Sequence, residues 1–305
     1  MVLPDGGAEA VKCAVKGNFR IKGLRTTNPV AVGDRVEVEL AADPAQDAYI
    51  TLIEPRANYI IRRASNLSKE AHILASNLDA ALLVCTLSNP PTSTTFIDRF
   101  LATAGAYDVE ALIAVNKIDT LTDPDDAELL RAFTGLYESI GYKVFPLSAR
   151  TGQGVDRLAD ALTGRITLFS GNSGVGKTSL INRLIPGLDL KTARISDAHN
   201  TGMHTTTFSE MFRLPAGGWI IDTPGVKGFG TIEMDKREIG HFFPEIFKTA
   251  AGCRFGDCSH TAEPGCAVRR AVERHNIAES RYASYLSILD EVTGNANDNK
   301  YRKPF

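Results

Sequence analysis

Gly171-Asn172-Ser173-Gly174-Val175-Gly176-Lys177-Thr178 is the stretch that decides the fold. It has the spacing G-x4-G-K-T, and its surroundings fit. An apolar run of strand length at 166–169 leads in, and a helix-like run at 177–184 leads out. Glycines allow consecutive backbone N–H groups to turn toward one anion, and a helix N-terminus adds favourable potential there. Lys177 is expected to reach the β- and γ-phosphates of a nucleotide, and Thr178 to ligate Mg²⁺. Further along, Asp222-Thr223-Pro224-Gly225 follows the apolar run 219–221. Such a D-x-x-G segment holds Mg²⁺ through Asp222 and meets the γ-phosphate with the Gly225 amide.

Upstream of the phosphate loop, Asn116-Lys117-Ile118-Asp119 ends the apolar run 111–115. A carboxylate at Asp119 accepts two hydrogen bonds from the N1–H and N2 amino groups of guanine. Adenine lacks that donor pair, so GTP is selected over ATP. Lys117 is expected along the purine face and Asn116 between neighbouring loops. Ser148-Ala149 follows the run 144–147; in GTPases that this resembles, the alanine amide meets guanine O6, and here Arg150 follows where lysine is more usual. All these motifs fall at the ends of strands alternating with helices at 127–140, 155–162 and 177–184. That pattern predicts a doubly wound, mainly parallel α/β sheet with its ligand at the strand C-termini. The motif order is permuted, because the base-reading half precedes the phosphate loop. A cyclic reordering keeps the sheet contacts when the original termini lie close together.

Around this core, residues 10–15, 19–22, 35–40 and 48–53 read as short strands, indicating a small β-barrel. A fifth core strand is read at 80–87. After residue 230 strands stop, and 236–247, 267–274 and 279–291 read as helices, with 295–299 as a frayed linker. Between the first two helices, Cys253, Cys258, His260 and Cys266 place three thiols and one imidazole close together. That donor set suits one structural, tetrahedral Zn²⁺ per chain. Cys13 and Cys85 read as core residues. The domain expectation is therefore a barrel over 1–62, a nucleotide domain over 63–231 and a helical zinc domain over 232–305.

The chain has 305 residues, 43% of them apolar, and a formal net charge of −2. Any nucleic-acid contact must therefore be local. Lys12, Lys16, Arg20, Lys22 and Arg25 form one basic group with Phe19 among them. Arg254, Arg269, Arg270 and Arg274 form a second, and Lys300 to Lys303 a third. Basic residues with an aromatic on a small barrel suit RNA. An odd set of five cysteines, three of them clustered, favours a reducing, cytoplasmic setting. No membrane span and no secretory leader are read, and the expected state is a monomer.

Val226 stands where well-known GTPases carry the glutamine that orients water. Turnover is therefore expected to be slow without a partner. His204, in Gly202-Met203-His204-Thr205-Thr206-Thr207, is the candidate replacement. Thr206 or Thr207 is the expected switch ligand of Mg²⁺. The segment after Gly225 leads directly into the C-terminal domain, so the γ-phosphate state is expected to be transmitted there.

Together these motifs resemble the ribosome small-subunit-dependent GTPase family, the circularly permuted GTPases of 30S biogenesis. Thr27-Asn28-Pro29-Val30-Ala31-Val32-Gly33-Asp34 is similar to that family's barrel signature. The resemblance implies an OB-fold, a permuted G domain and a helical zinc domain. It implies GTP contacts from Asn116, Lys117, Asp119, Ser148, Ala149, Gly225 and the run Gly171, Asn172, Ser173, Gly174, Val175, Gly176, Lys177, Thr178 and Ser179. It further implies GTP hydrolysis stimulated by the 30S subunit during late maturation, 16S rRNA binding and a catalytic role for His204. Met203 departs from the arginine common before that histidine. Met1-Val2-Leu3-Pro4 enters where a family member finishes its first strand, so either the start is truncated or the barrel is incomplete. Two other readings stand beside this one. One is an RNA-binding assembly factor that uses GTP and GDP only as a switch. The other is a permuted GTPase of the large subunit.

Overall fold

The computed structural model describes residues 1–7, 9–15, 29–40, 47–63, 71–190, 209–222 and 235–301. At its centre is a six-stranded sheet. Its strands are β6 (Ala80–Cys85), β7 (Glu110–Val115), β8 (Lys143–Pro146), β9 (Ile166–Ser170), β10 (Glu210–Arg213) and β11 (Trp219–Asp222), in the order β10-β11-β9-β6-β7-β8. All neighbours are parallel except the edge pair β10–β11. The central strand β6, Ala-Ala-Leu-Leu-Val-Cys, is buried throughout, as a strand covered on both faces must be. Alternate side chains divide between two cores. Ala81, Leu83, Cys85, Ile113 and Val115 face α1 (Thr94–Ala106) and α2 (Pro124–Ile140). Ala80, Leu82, Val84, Leu112 and Ala114 face α3 (Val155–Leu162) and α4 (Lys177–Leu184).

Helix α1, which the sequence reading did not anticipate, repeats apolar residues at helical spacing in Ile97, Phe100, Leu101 and Ala104. It is buried on two sides, by the sheet through Ile97, Phe100, Leu101 and Ala104, and by the C-terminal helices through Ala102. Its start is set by Ser93, whose Oγ accepts from the Phe96 amide at 3.3 Å. Helix α2 opens with Pro124, whose missing N–H costs nothing at the first position, and ends on Gly141 at φ 111°.

The N-terminal part forms a three-stranded sheet β1-β3-β2 from β1 (Cys13–Val15), β2 (Val36–Glu39) and β3 (Ala48–Ile53). The strand expected at 19–22 lies outside the described residues. A hairpin of β4 (Tyr59–Arg63) and β5 (Ala71–Ser76), which the sequence reading did not anticipate, joins this sheet to the core. Position 62 falls inside β4. The turn Val32-Gly33-Asp34 docks on β5. Asp34 takes Arg56 Nε at 2.6 Å and the Ser76 hydroxyl at 2.6 Å. Gly33 sits at φ 95°, so close to the Ser76 carbonyl that a Cβ has no room.

Beyond the sheet lie α5 (Pro244–Ala250), α6 (Ala267–Glu273) and α7 (Glu279–Tyr301). The helix read at 236–247 is instead a short 3₁₀ turn at Ile239–Phe242 followed by α5, because Pro244 cannot sit in a helix interior and starts a new one. The linker read at 295–299 is also corrected, since α7 runs through it. Once nucleated, a helix gains one hydrogen bond per added residue, which offsets weak local propensity.

The C-terminal helices are joined to α1 by a buried charge cluster. Arg281 is fully buried. It donates to Asp98 at 2.7 Å and to Glu245 at 2.7 and 3.1 Å, and lies 4.6 Å above the Phe243 ring. Tyr137 also donates to Asp98, at 2.8 Å. Removing one partner of such a cluster leaves an uncompensated buried charge. Arg281→Met is expected to cost about 3–5 kcal/mol in urea unfolding. Burial already raises the Asp98 carboxyl above its ordinary range, and Arg281 opposes that rise. Without Arg281 the carboxyl moves higher still, so the penalty is largest near neutral pH and shrinks as falling pH protonates Asp98. A penalty under about 1 kcal/mol, or one independent of pH, would contradict this account.

Candidate nucleotide site and metal centre

The sheet brings the base-reading and phosphate-reading motifs to one edge. Gly171 to Gly176 link β9 to α4, with Gly171, Gly174 and Gly176 at φ 155°, 82° and 89°. A side chain at Gly171 would run into the Val84 carbonyl, and one at Gly176 into the Asn116 amide. These glycines are therefore set by close packing against the neighbouring strand ends as well as by backbone conformation. Val175 is buried, while Ser173, Gly174 and Ser179 are exposed and Asn172 and Thr178 are half-buried, leaving an open rim above the helix N-terminus.

Asn116 ties three loops together. Its amide donates to Val175 O at 2.8 Å in the phosphate loop, and its Oδ1 accepts from the Ala149 amide at 2.9 Å. Its own backbone N–H bonds Cys85 O at the end of β6. Lys117 follows in the left-handed region at φ 65°, and its Nζ donates to Asn89 O at 2.6 Å. Asp119 accepts from the Ser148 hydroxyl on Oδ1 at 2.5 Å and pairs with Arg150 through Oδ2 at 2.6 Å. The Ser148 hydroxyl, and then the Arg150 charge, hold the Asp119 carboxyl below the ordinary range against desolvation. It is thus ionised and acceptor-only, as recognition of two N–H donors requires. The Ser148-Ala149 loop is held from below, because Arg183 donates to Thr151 O at 3.2 Å. Neither Asn89 nor Arg183 was singled out from the sequence, since both act through backbone carbonyls that no motif records.

At the phosphate end, Lys177 Nζ lies 2.6 Å from Asp222 Oδ1, and the two side chains are 14% and 20% exposed. The cation expected on the phosphates and the anion expected near Mg²⁺ are therefore already neighbours. With Thr178 at the first turn of α4, the donor set is hydroxyl and carboxylate oxygen, which suits a hard cation such as Mg²⁺. His204, Thr206, Thr207, Gly225 and Val226 lie outside the described residues.

The second cluster joins Cys253, Cys258, His260 and Cys266, whose ligand atoms all lie within 4.8 Å of one another. Cys253 Sγ is 4.0 Å from Cys266 Sγ and 3.6 Å from His260 Nδ1, and Cys266 Sγ is 3.5 Å from that nitrogen. A tetrahedral zinc ion with Zn–S about 2.3 Å and Zn–N about 2.0 Å spaces its ligands roughly 3.5–3.8 Å apart, so the cluster fits. Burial lowers the His260 imidazole, against the pull of Glu263, which keeps it neutral as a ligand must be. Burial opposes ionisation of Cys253, but the Ala267 and Val268 amides outweigh it and bring that thiol down. Burial and the neighbouring sulfurs push Cys258 up to about 12. Arg254, Arg269, Arg270 and Arg274 are all exposed around this cluster.

Comparison with known proteins agrees with this geometry. The family model described as RsgA GTPase matches residues 53–232. A Bacteroides fragilis protein named small ribosomal subunit biogenesis GTPase RsgA is 59% identical over 304 residues, spanning 100% of this chain and 96% of that protein. The crystal structure of YjeQ from Thermotoga maritima superposes with a TM-score of 0.74 at 34% identity, covering 94% of this chain and 91% of that one. YloQ, described as a circularly permuted GTPase, gives 0.71 at 28% identity, covering 97% and 88%. The fold is a circularly permuted P-loop GTPase domain followed by a helical region with a Cys3His cluster, and the chain belongs to the RsgA GTPase family.

Proposed function

We propose that this protein hydrolyses GTP on the small ribosomal subunit during its late maturation, slowly alone and faster when the subunit is bound. The observation that carries the nucleotide reading is the bracing of three loops by Asn116, which sets Asp119 and the phosphate loop in one site. The names of its relatives support the subunit. In this reading Asp119, Lys117 and the Ala149 amide hold guanine, Lys177 and the amides of residues 171–179 hold the phosphates, and the Gly225 amide meets the γ-phosphate. Thr178, Thr206 or Thr207, and Asp222 would hold Mg²⁺, which would supply charge neutralisation at the phosphates. His204 orients the attacking water in place of Val226. The working division remains a barrel over 1–62, a GTPase domain over 63–231 and a zinc domain over 232–305. The exposed arginines beside the metal cluster and the basic N-terminal group contact 16S rRNA. The protein acts as a cytoplasmic monomer. Among the described residues no helix is long and apolar enough to cross a membrane.

The test is phosphate release by wild type and His204→Ala with isolated 30S or 50S subunits. The 30S subunit is expected to accelerate wild type only, with GTP binding retained in the variant. Absence of any stimulation would favour a factor that uses GTP only as a switch. Stimulation by 50S alone would move the site of action to the large subunit. Unchanged stimulation of His204→Ala would remove that residue from the mechanism.

A further inference from the structure

We propose that Arg150 is an internal stand-in for guanine, which pairs with Asp119 until the base displaces it and so sets the rate at which the nucleotide enters. This deepens the guanine reading of Asp119 and rests on it. The chemistry is a matter of matching donors. The guanine edge presents N1–H and the N2 amino group across one carbon, and a guanidinium presents the same N–C–N arrangement to a carboxylate. Arg150 Nη2 sits 2.6 Å from Asp119 Oδ2, and Ser148 takes Oδ1 from inside the loop. The two contacts differ in kind. The Ser148 hydroxyl is fixed within its loop, since it also accepts from the Thr151 amide at 3.1 Å. The Arg150 side chain is 77% exposed, whereas that of Asp119 is 9% exposed. A base reaching both carboxylate oxygens must therefore displace Arg150 from Oδ2.

The pair covers the second oxygen of a carboxylate whose first oxygen is held by Ser148. It is also weak enough to yield, because an ion pair with so exposed a partner contributes little. The loop does not depend on Arg150 for its shape. Gly152 N bonds Ser148 O at 2.8 Å, and Arg183 holds Thr151 O from the other side. Removing the guanidinium therefore unmasks Asp119 and leaves Ser148-Ala149 in place. Arg150 acts through Asp119 and is a positioning residue.

The experiment is stopped-flow association and dissociation of the fluorescent probe mant-GDP on the full chain. Arg150→Ala is expected to bind about two- to fivefold faster, with dissociation unchanged, because an exposed pair no longer has to be broken. A second background isolates the cause. Asp119→Asn presents an amide in place of the carboxylate and is read with mant-xanthosine diphosphate, whose C2 carbonyl accepts from that amide. There Arg150 has no charge to pair with, and Arg150→Ala is expected to change nothing. Slower or unchanged association of Arg150→Ala with mant-GDP overturns the proposal, as does an equal acceleration in the Asp119→Asn background. Failure of the wild type to bind mant-GDP at all would instead overturn the guanine reading itself.

Discussion

Chelation of zinc, or the substitution Cys266→Ser, is expected to release the whole segment from Cys253 to Cys266 while the central sheet stays folded. Between α5 and α6 the backbone makes only turns and bends, so no ladder of hydrogen bonds holds it. Its order comes from a few fixed points. Tyr282 donates to His260 O at 2.6 Å, and Tyr285 to Ser259 O at 2.8 Å. Glu263 takes the Ser259 hydroxyl at 2.6 Å and the amides of Ser259 and Thr261 at 2.7 and 3.0 Å. Burial works against the Glu263 charge, but these donors bring its carboxyl down to about 2. His260 sits at φ 59°, a conformation costly for a side chain unless the surroundings fix it. The ligand side chains alone offer little to offset that cost, whereas structural Zn²⁺ contributes about 10–16 kcal/mol at pH 7 in small zinc domains. Cys266 also begins α6, with its sulfur accepting from the Arg269 amide at 3.4 Å, so loss of that ligand loosens the helix carrying the exposed arginines. Metal analysis is expected to give one zinc per chain in wild type and little in Cys266→Ser. Hydrogen exchange is expected to rise over 253–274 and to stay slow in β6 and β7. Full exchange protection in a metal-free sample would refute the zinc assignment.

What was legible in the sequence follows from where the information sits. Strand β3 and helices α3 and α4 begin and end where the pattern sets them, because the burial pattern there is local. The Cys253 to Cys266 cluster was legible because its donors are close in the chain as well as in space. The role of Asn116 between loops was legible as well, since a short amide next to the base-reading lysine has few other uses. Two features had no local signal. Arg281 and Asp98 are 183 positions apart, and nothing near either residue marks the other. The pairs Arg150–Asp119 and Lys177–Asp222 join residues whose expected partner is the nucleotide, so a motif read for its ligand does not show what the side chains do with one another.

The Lys177–Asp222 pair bears directly on turnover. Lys177→Ala is expected to reduce GTP turnover by at least about a hundredfold, the usual scale for losing one preorganised charge at a developing anion. The pair at 2.6 Å adds a second effect. With both side chains mostly shielded, salt screens their charges poorly. Removal of the cation therefore leaves Asp222 facing the phosphates as an unbalanced anion, and nucleotide affinity falls beyond the loss of the lysine contact. The two parts separate in a double variant. Lys177→Ala with Asp222→Asn is expected to regain part of the mant-GDP affinity, since the repulsion is gone. It is expected to regain no turnover, because the lysine is still missing and a carboxylate has left the Mg²⁺ set. Single-turnover phosphate release and mant-GDP titration on the same samples distinguish these outcomes. Turnover of Lys177→Ala within tenfold of wild type would remove the lysine from the phosphate site. A double variant that binds no better than Lys177→Ala would show that the Asp222 charge is balanced elsewhere, leaving the lysine contact as the whole of the effect.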